Sequence, residues 1–195
     1  MALPGVNSDA GRPPPFRSGV VAIIGPPNAG KSTLLNHFLG QKIAIVTAKP
    51  QTTRNRILGV LTGGQFQLIL LDTPGLHKPK ELLNRRMVAI ALETLAEADV
   101  VLFLADAAAG GGADVYARYL EQAGCPVVLA LNKVDLLEKS RLLPLIEHYA
   151  AAYPFAAVVP ISALHGEGTD ALINELAMRL PPGPRYYPEE ILTDA

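Results

Sequence analysis

The sequence lacks the features that identify disulfide-bonded, membrane-spanning, strongly charged and secreted proteins. It contains one cysteine, Cys125, so an intramolecular disulfide is excluded, and we expect Cys125 to be a small buried residue. No apolar run approaches the roughly 18 residues of a membrane-spanning helix. Its 17 basic and 18 acidic residues nearly cancel, so overall charge demands neither nucleic acid nor an anionic membrane surface as partner. Residues 1–17 lack the apolar centre of a signal peptide, so we expect a flexible arm and a cytoplasmic protein.

What is present is an alternation of apolar runs and helix-like segments. The 195 residues, 49% of them hydrophobic, suffice for one domain with a proper core. The alternation predicts an α/β fold with a mostly parallel six-stranded sheet, one antiparallel edge strand and helices on both faces. The antiparallel strand is predicted from a hairpin that joins residues 57–61 to residues 66–71 across a Gly-Gly turn. We expect the domain to span residues 18–180 and residues 181–195 to form a proline-rich linker.

A glycine-bounded loop separates the first apolar run, Val20–Ile24, from a helix-like segment. It has the pattern Gly-x-x-x-x-Gly-Lys-Ser of a phosphate-binding P-loop. Its glycines let the backbone approach a phosphate, and its N–H groups meet the positive end of the helix. Lys31 can reach the β- and γ-phosphates, and Ser32 can ligate Mg²⁺. The alternative is a Gly/Pro turn with an incidental Lys-Ser. The residues predicted here to bind nucleotide are Gly25, Pro26, Pro27, Asn28, Ala29, Gly30, Lys31, Ser32 and Thr33.

A second motif closes the strand predicted at residues 66–71. The carboxylate of Asp72 can hold Mg²⁺ through water, and the backbone N–H of Gly75 can donate to a γ-phosphate. An ordinary Thr-Pro-Gly turn is the alternative. Ligands of α/β sheets bind at the carboxyl ends of the strands, which favours the functional interpretation. The predicted nucleotide-binding residues are Asp72, Thr73, Pro74, Gly75 and Leu76.

The third motif, Asn132-Lys133-Val134-Asp135, follows the apolar run at residues 127–131. One carboxylate, that of Asp135, can accept both N1–H and the exocyclic amine of guanine, whereas adenine would leave it unpaired at high cost. Asn132 can bond the N7 side of the base and brace the P-loop, and the stem of Lys133 can lie along the base. Asp135 and Glu138 also have the spacing of a capping box, so a purely structural role is the alternative.

The fourth motif, Ser162-Ala163-Leu164, ends the last predicted strand. Small residues there would let backbone N–H groups reach the guanine O6, an oxygen that adenine lacks. This motif is weak by itself. All four in this order are a strong signal of guanine-nucleotide binding.

These motifs resemble the translation-factor-related GTPases of the P-loop NTPase fold, most closely the bacterial Era family, over about residues 18–195. Two further segments favour that family, Gln51-Thr52-Thr53-Arg54 and the Tyr-Tyr-Pro-Glu run at residues 186–189. A Der- or MnmE-like GTPase domain with another RNA-linked role is the alternative. The resemblance implies that residues 41–56, with residues 51–54 among them, form switch I and that residues 72 to about 90 form switch II. It implies Ser32, Thr53 (or its neighbour Thr52) and Asp72 as Mg²⁺ ligands, and Lys31, Thr53, Gly75 and Asn28 as catalytic residues.

The resemblance also implies a monovalent cation. Leu76 stands where Ras-type GTPases carry a water-orienting glutamine, and leucine cannot hydrogen-bond water. In relatives with a Pro-Asn-x-Gly-Lys-Ser loop, an asparagine at the place of Asn28 helps to bind K⁺. We therefore expect K⁺ beside Mg²⁺ as a cofactor. The alternative is that Asn28 only shapes the loop.

Era-type proteins carry a C-terminal KH domain that binds the 3′ end of small-subunit ribosomal RNA. This sequence has no Gly-x-x-Gly loop of the KH kind, so we expect residues 181–195 to lead towards a KH domain absent from this chain. The implied partners are GTP and GDP and, through that domain, small-subunit ribosomal RNA and the 30S subunit. A peripheral membrane contact of the full-length protein is compatible with the resemblance, and the sequence does not predict an oligomeric state.

The leading functional interpretation is a GTP-hydrolysing switch in small-subunit assembly. A nucleotide or metabolite kinase is a second possibility, since kinases also use P-loops, but two switch-like motifs argue against a phosphoryl acceptor site. A non-catalytic nucleotide-binding scaffold is a third. The presence of Lys31, Ser32, the switch threonines and Asp72 argues against it.

Overall fold

A computed structural model of the chain describes residues 14–40, 43–44, 57–72, 95–109 and 113–188. None of the helices in these ranges is both long and apolar enough to cross a bilayer. The strands are β1 (Arg17–Ile24), β2 (Ile43–Ala44), β3 (Ile57–Thr62), β4 (Phe66–Asp72), β5 (Val100–Asp106), β6 (Val127–Asn132) and β7 (Ala157–Pro160). The helices are α1 (Lys31–Leu39), α2 (Ala113–Leu120), α3 (Lys139–Ala152) and α4 (Thr169–Arg179), with a 3₁₀ turn at Val134–Leu136. The pattern of residues 82–96 predicts a further helix, and most of this stretch lies outside the described residues.

The described strands form one sheet in the order β2-β3-β4-β1-β5-β6-β7. The central strand β1 pairs in parallel with β4 and β5, while β3 runs antiparallel to β4 across a turn in which Gly63 N–H donates to the Phe66 carbonyl at 2.9 Å. The predicted fold class is therefore confirmed. The two-residue β2 adds a seventh strand beyond β3, within residues 41–56, whose polar and irregular sequence predicts no regular element. The rest of that stretch, residues 41–56, lies outside the described residues.

Each face of the sheet carries its own core because successive side chains of a strand point to opposite faces. Val21 belongs to a cluster that includes Phe38 of α1 and Leu176 of α4. Its neighbour Ala22 belongs to the other cluster, with Tyr149 of α3. Burial of each large apolar side chain contributes about 1.5–3 kcal/mol. Packing on both faces holds the strands rigidly, and with them the loops at their ends.

Cys125 is a free, half-buried thiol before β6. Burial, and to a lesser degree the charge of Asp99, raise the pKa of the Cys125 thiol. Since the thiolate is the reactive form, the raised pKa makes the thiol unreactive, while Cys125 is half-buried rather than buried as the sequence predicts.

β1 begins at Arg17, three residues before its apolar run. The start of the strand is covered by the last described residues of the chain. We call residues 181–188 the exit segment. Its Gly183 N–H donates to the Phe16 carbonyl at 3.0 Å, and the buried Ser18 hydroxyl donates to the Pro184 carbonyl at 2.6 Å. Ser18 is thereby satisfied inside the protein, which allows a polar residue to extend the strand.

Gln67 of β4 anchors the exit segment. Its side chain is completely buried, and its oxygen accepts the N–H groups of Tyr186 at 2.8 Å and Tyr187 at 3.0 Å. Its amide nitrogen donates to the Tyr187 carbonyl at 2.9 Å and to the Thr62 hydroxyl at 3.0 Å. The exit segment is therefore bound at the end of the sheet opposite Asp72. Residues 189–195 lie outside the described residues, and a linker to a further domain stays a prediction.

We predict that Gln67→Leu lowers the free energy of unfolding by about 1–3 kcal/mol, because it leaves the buried partners of the amide unpaired. Urea denaturation measures this loss. Hydrogen exchange at the amides of Tyr186 and Tyr187 should accelerate at the same time. Gln65→Leu, at an exposed position in the neighbouring turn, is the matched control and should change both quantities little. Equal effects of the two substitutions would show that Gln67 is not the anchor.

Candidate functional site

The loop after β1 has the backbone conformation that the sequence predicts for a P-loop. A Cβ at Gly25 would lie 2.3 Å from the Leu104 carbonyl oxygen. Gly30 has φ +100°, and a Cβ there would lie 2.1 Å from the Asn132 side-chain nitrogen. Asn28 also has positive φ, at +63°, a region that asparagine tolerates better than most residues. Glycine is thus required at both ends of the loop.

Helix α1 presents its first turn to this loop. The Lys31 ammonium donates to the carbonyls of Gly25 and Pro26, both at 2.9 Å, so it lies across the loop. Ser32 and Thr33 are exposed on the same turn. The first N–H groups of a helix have no acceptor within it, and its dipole favours an anion there. The Lys31 ammonium, the Ser32 hydroxyl and the amides of this first turn together suit a bound phosphate chain.

Asn132, at the end of β6, joins three loops. It is 2% exposed, and its amide nitrogen donates to the Ala29 carbonyl at 2.7 Å. Its oxygen accepts the Ala163 N–H at 2.9 Å. The side chain therefore holds the P-loop and the Ser-Ala-Leu loop against the Asn-Lys-Val-Asp motif. The expected brace to the P-loop is present in this geometry.

Lys133 has left-handed backbone geometry (φ +67°) and points at an acidic residue that sequence reasoning missed, Asp106 at the end of β5. Lys133 Nζ donates to Asp106 Oδ2 at 2.5 Å, while Asp106 Oδ1 accepts the N–H groups of Ala108 and Ala109. Partial burial opposes ionisation of Asp106, but the hydrogen bond and charge of Lys133 and the two amides together lower its pKa. The signal in the sequence that could have identified Asp106 was its position as a charged residue at the carboxyl end of a strand. Its partner, 27 residues away, was not visible in sequence.

Asp135 lies in the 3₁₀ turn, and its side chain is 19% exposed. It does not cap α3: the residue at the N-cap is Glu138, and no side-chain bond caps that helix. The capping alternative is therefore not observed. The carboxylate faces the Ser-Ala-Leu loop, where its neighbour is His165, with Asp135 Oδ2 and His165 Nε2 3.9 Å apart.

The loop after β7 is tightly closed. Ser162 pairs with Glu167 in an isolated β-bridge, and Gly166 N–H donates to the Ser162 carbonyl at 2.8 Å. Ser162 and Ala163 are buried, whereas Leu164 is 70% exposed. Val134 N–H donates to the Ile161 carbonyl at 3.2 Å, and this bond joins the loop to the Asn-Lys-Val-Asp motif. Three of the four predicted motifs thus meet at one edge of the sheet.

The second motif, Asp72 to Leu76, and switch I lie largely outside the described residues. Residues 51–54 and 73–76 belong there, and with them Gln51, Thr52, Thr53, Arg54, Thr73, Pro74, Gly75 and Leu76. The backbone of Asp72 ends β4 opposite Ile23 of β1, which puts it at the same sheet edge as the P-loop. The proposed roles of these residues stay predictions.

Comparison with known proteins agrees with this geometry. Residues 20–133 match the family described as 50S ribosome-binding GTPase. Two curated relatives are GTPase Era of Ruminiclostridium cellulolyticum, 51% identical, and GTPase Era of Geotalea uraniireducens, 50% identical. Each match covers 92% of this chain and 61% of the relative, so the chain spans about three fifths of their length.

Two solved structures are similar over 92% of this chain and 62% of theirs, each at 41% identity. One is Era in complex with MgGDPNP and a fragment of 16S ribosomal RNA, with a TM-score of 0.76. The other is an Era variant of Aquifex aeolicus bound to GDP and AlF₄⁻, with a TM-score of 0.75. The fold and the family resemblance predicted from sequence are both confirmed.

We predict that Asp106→Asn lowers stability by about 1 kcal/mol at neutral pH, because it breaks a partly exposed ion pair. The folded-state pKa of Asp106 is lowered from 3.8, so the charged carboxylate stabilises the fold above that pH. Its contribution is lost as pH falls through the lower folded value. Urea denaturation should therefore show a wild-type advantage that is steady from pH 7 to 5 and shrinks towards pH 3. Glu147→Gln, at an exposed position on α3, should show little change, and an advantage independent of pH would contradict the assignment.

Proposed function

Because this chain belongs to the family of 50S ribosome-binding GTPases, we propose that it is a Mg²⁺-dependent switch that binds and hydrolyses GTP. The observation that carries the proposal is the buried amide of Asn132, which holds the P-loop, the guanine motif and the Ser-Ala-Leu loop together. A P-loop that binds adenine nucleotides, or that has only a structural role, does not require the Asn-Lys-Val-Asp motif and the Ser-Ala-Leu loop beside it.

Guanine selection rests on Asp135. Its carboxylate stands at the sheet edge beside the Ser-Ala-Leu loop and is not used to cap α3. In our proposal it accepts guanine N1–H and the exocyclic amine, while the base lies along the stem of Lys133. Asp106 supports that stem by holding the Lys133 ammonium. Adenine offers no matching donor pair and would leave the carboxylate unpaired.

Hydrolysis is the in-line attack of water on the γ-phosphate, which yields GDP and inorganic phosphate. Lys31, the loop amides and the first turn of α1 stabilise the charge that develops on the phosphoryl group. In this proposal Gly75 completes the γ-phosphate contacts, and Thr53 joins Ser32 and Asp72 as a ligand of Mg²⁺. The exposed Ser32 hydroxyl and the position of Asp72 beside β1 suit a Mg²⁺ ion. When bound, Mg²⁺ supplies neutralising charge to the phosphates.

The cellular role that we propose is small ribosomal subunit assembly in the cytoplasm. In support, a relative 41% identical to this chain was solved with 16S ribosomal RNA. The family description names the 50S subunit, but that match covers residues 20–133, where the shared nucleotide-binding motifs lie, and does not choose between subunits. RNA contact would come through a KH domain beyond residues 181–195, in the part of the relatives that this chain does not span. A peripheral membrane contact of the full-length protein belongs to the same proposal.

Multiple-turnover phosphate release tests the activity. We expect release from GTP with Mg²⁺ and no acceptor, little release from ATP, and loss of activity with EDTA. Asp135→Asn should lower GTP affinity roughly 10–100-fold, because a hydrogen bond to a charged group is lost. The same variant should gain affinity for XTP, since xanthine has an oxygen where guanine has its amine. Activity that requires an acceptor would favour a kinase, and an unchanged preference for GTP in the variant would remove Asp135 from the base site.

We further propose that K⁺ stimulates hydrolysis through Asn28. Asn28 is exposed at the tip of the P-loop, and its amide oxygen is a hard ligand of the kind that K⁺ prefers. Leu76 cannot orient water, so charge stabilisation must come from another group. An arginine at the corresponding place in other GTPases is worth roughly 10³–10⁵ in rate. A monovalent cation would supply part of that charge.

The test must separate the amide of Asn28 from its backbone, because its φ is +63°. Asn28→Gly removes the amide and still adopts positive φ readily, whereas Asn28→Ala would add strain. Turnover measured in matched KCl and NaCl should be faster in KCl for wild type and equal in both salts for Asn28→Gly. Equal wild-type rates in the two salts would refute a K⁺ role. Stimulation that persists in Asn28→Gly would assign Asn28 to loop shape alone.

A further inference from the structure

A histidine stands beside the carboxylate that we assign to guanine. His165 Nε2 lies 3.9 Å from Asp135 Oδ2, and the imidazole is 55% exposed. The His165 backbone is held in the closed loop, where its N–H lies 3.4 Å from the Ser162 hydroxyl. The backbone is thus fixed while the ring has solvent to move into. None of the four sequence motifs includes this residue.

The surroundings of His165 single out Asp135 as its charged partner. Its own loop contributes Glu167, and the following helix α4 begins near Asp170. From α1, His37 packs against Gly166, where a Cβ would lie 2.4 Å from the His37 ring. Among the described residues, Asp135 is the carboxylate within ion-pair distance of His165. Lys133, two residues before Asp135, forms an ion pair with Asp106, so its ammonium does not compete with His165 for Asp135.

Guanine and a protonated imidazole make the same demand on Asp135. Guanine needs both carboxylate oxygens for its two adjacent donors, while an imidazolium at this distance attracts one of them. Imidazoles ordinarily take up a proton between pH 5 and 8. Neutral His165 carries no charge with which to hold the carboxylate. Competition for Asp135 should therefore appear only when His165 is protonated.

We propose that His165, when protonated, competes with guanine for the carboxylate of Asp135. The affinity for guanine nucleotides should therefore decrease as the pH is lowered. The proposal rests on the function proposed above, since it requires Asp135 to read guanine. An ion pair of this exposure shifts an equilibrium by about two- to fivefold. That is the expected loss of GDP affinity between pH 8 and pH 5.5 beyond any effect of the nucleotide itself.

GDP binding by titration calorimetry at pH 8 and pH 5.5 tests the proposal. Protonation of the GDP phosphate affects every protein variant equally and cancels in a ratio of dissociation constants. Wild type and His165→Asn should bind alike at pH 8, and the variant should bind about two- to fivefold more tightly at pH 5.5. His165→Lys carries a permanent charge and should bind more weakly than wild type at pH 8. His148→Asn, at an exposed histidine on α3, is the control and should follow wild type at both pH values.

Each result is decisive. A wild-type pH effect that is unchanged in His165→Asn, or a His165→Lys variant that matches wild type at pH 8, overturns the competition. Loss of binding by His165→Asn at pH 8 also overturns it, because the ring would then support binding rather than oppose it. If wild type itself fails to bind GDP at pH 8, the proposed function fails and the competition with it. Normal GDP binding with equal pH responses refutes the competition alone.

Discussion

The buried amide of Asn132 is the interaction on which the candidate site depends. It joins the Ala29 carbonyl and the Ala163 N–H, two groups that belong to loops far apart in the chain. Both of its partners are main-chain groups, so it fixes the paths of the loops rather than one side chain. It also explains Gly30, because any Cβ there would collide with the amide nitrogen. An amide of this kind, satisfied on both sides, is stable in a buried place where a charge would be costly.

A buried amide paired with main-chain groups has the same role at the opposite end of the sheet. Gln67 is another buried amide that pairs with main chain, and it fixes the exit segment as Asn132 fixes the loops. One strand, β4, carries Gln67 near its start and Asp72 at its end. The strand is hydrogen-bonded to a neighbour on each side, and its Leu68 and Leu70 pack into one of the two cores, so its two ends keep a constant separation. The exit segment and the predicted metal ligand are therefore mounted on the same rigid element.

Local patterns in the sequence were enough for the elements and most of the site. The apolar runs predicted β1 and β4–β7 because continuous burial requires them, and Gly63-Gly64 predicted the hairpin because a tight turn requires such residues. The P-loop was predictable since the spacing Gly-x-x-x-x-Gly-Lys-Ser is a local pattern. The contacts that exclude a Cβ at Gly25 and Gly30, with Leu104 and Asn132, come from tertiary structure. Start and end points were less predictable. β1 begins at Arg17 because Arg17 and Ser18 pair with β4, and the buried Ser18 hydroxyl finds its partner in the exit segment.

The sequence by itself therefore determined the fold class, the P-loop and the positions of the guanine motif, because periodicity, glycine placement and strand ends are local properties. Only the tertiary structure decided which polar groups meet. It paired Lys133 with Asp106, brought His165 to Asp135, and bound Tyr187 to Gln67, a residue 120 positions away. It also excluded the capping role of Asp135 by starting α3 at Lys139. Such pairings depend on which strands become neighbours in the sheet, and no local pattern encodes that order.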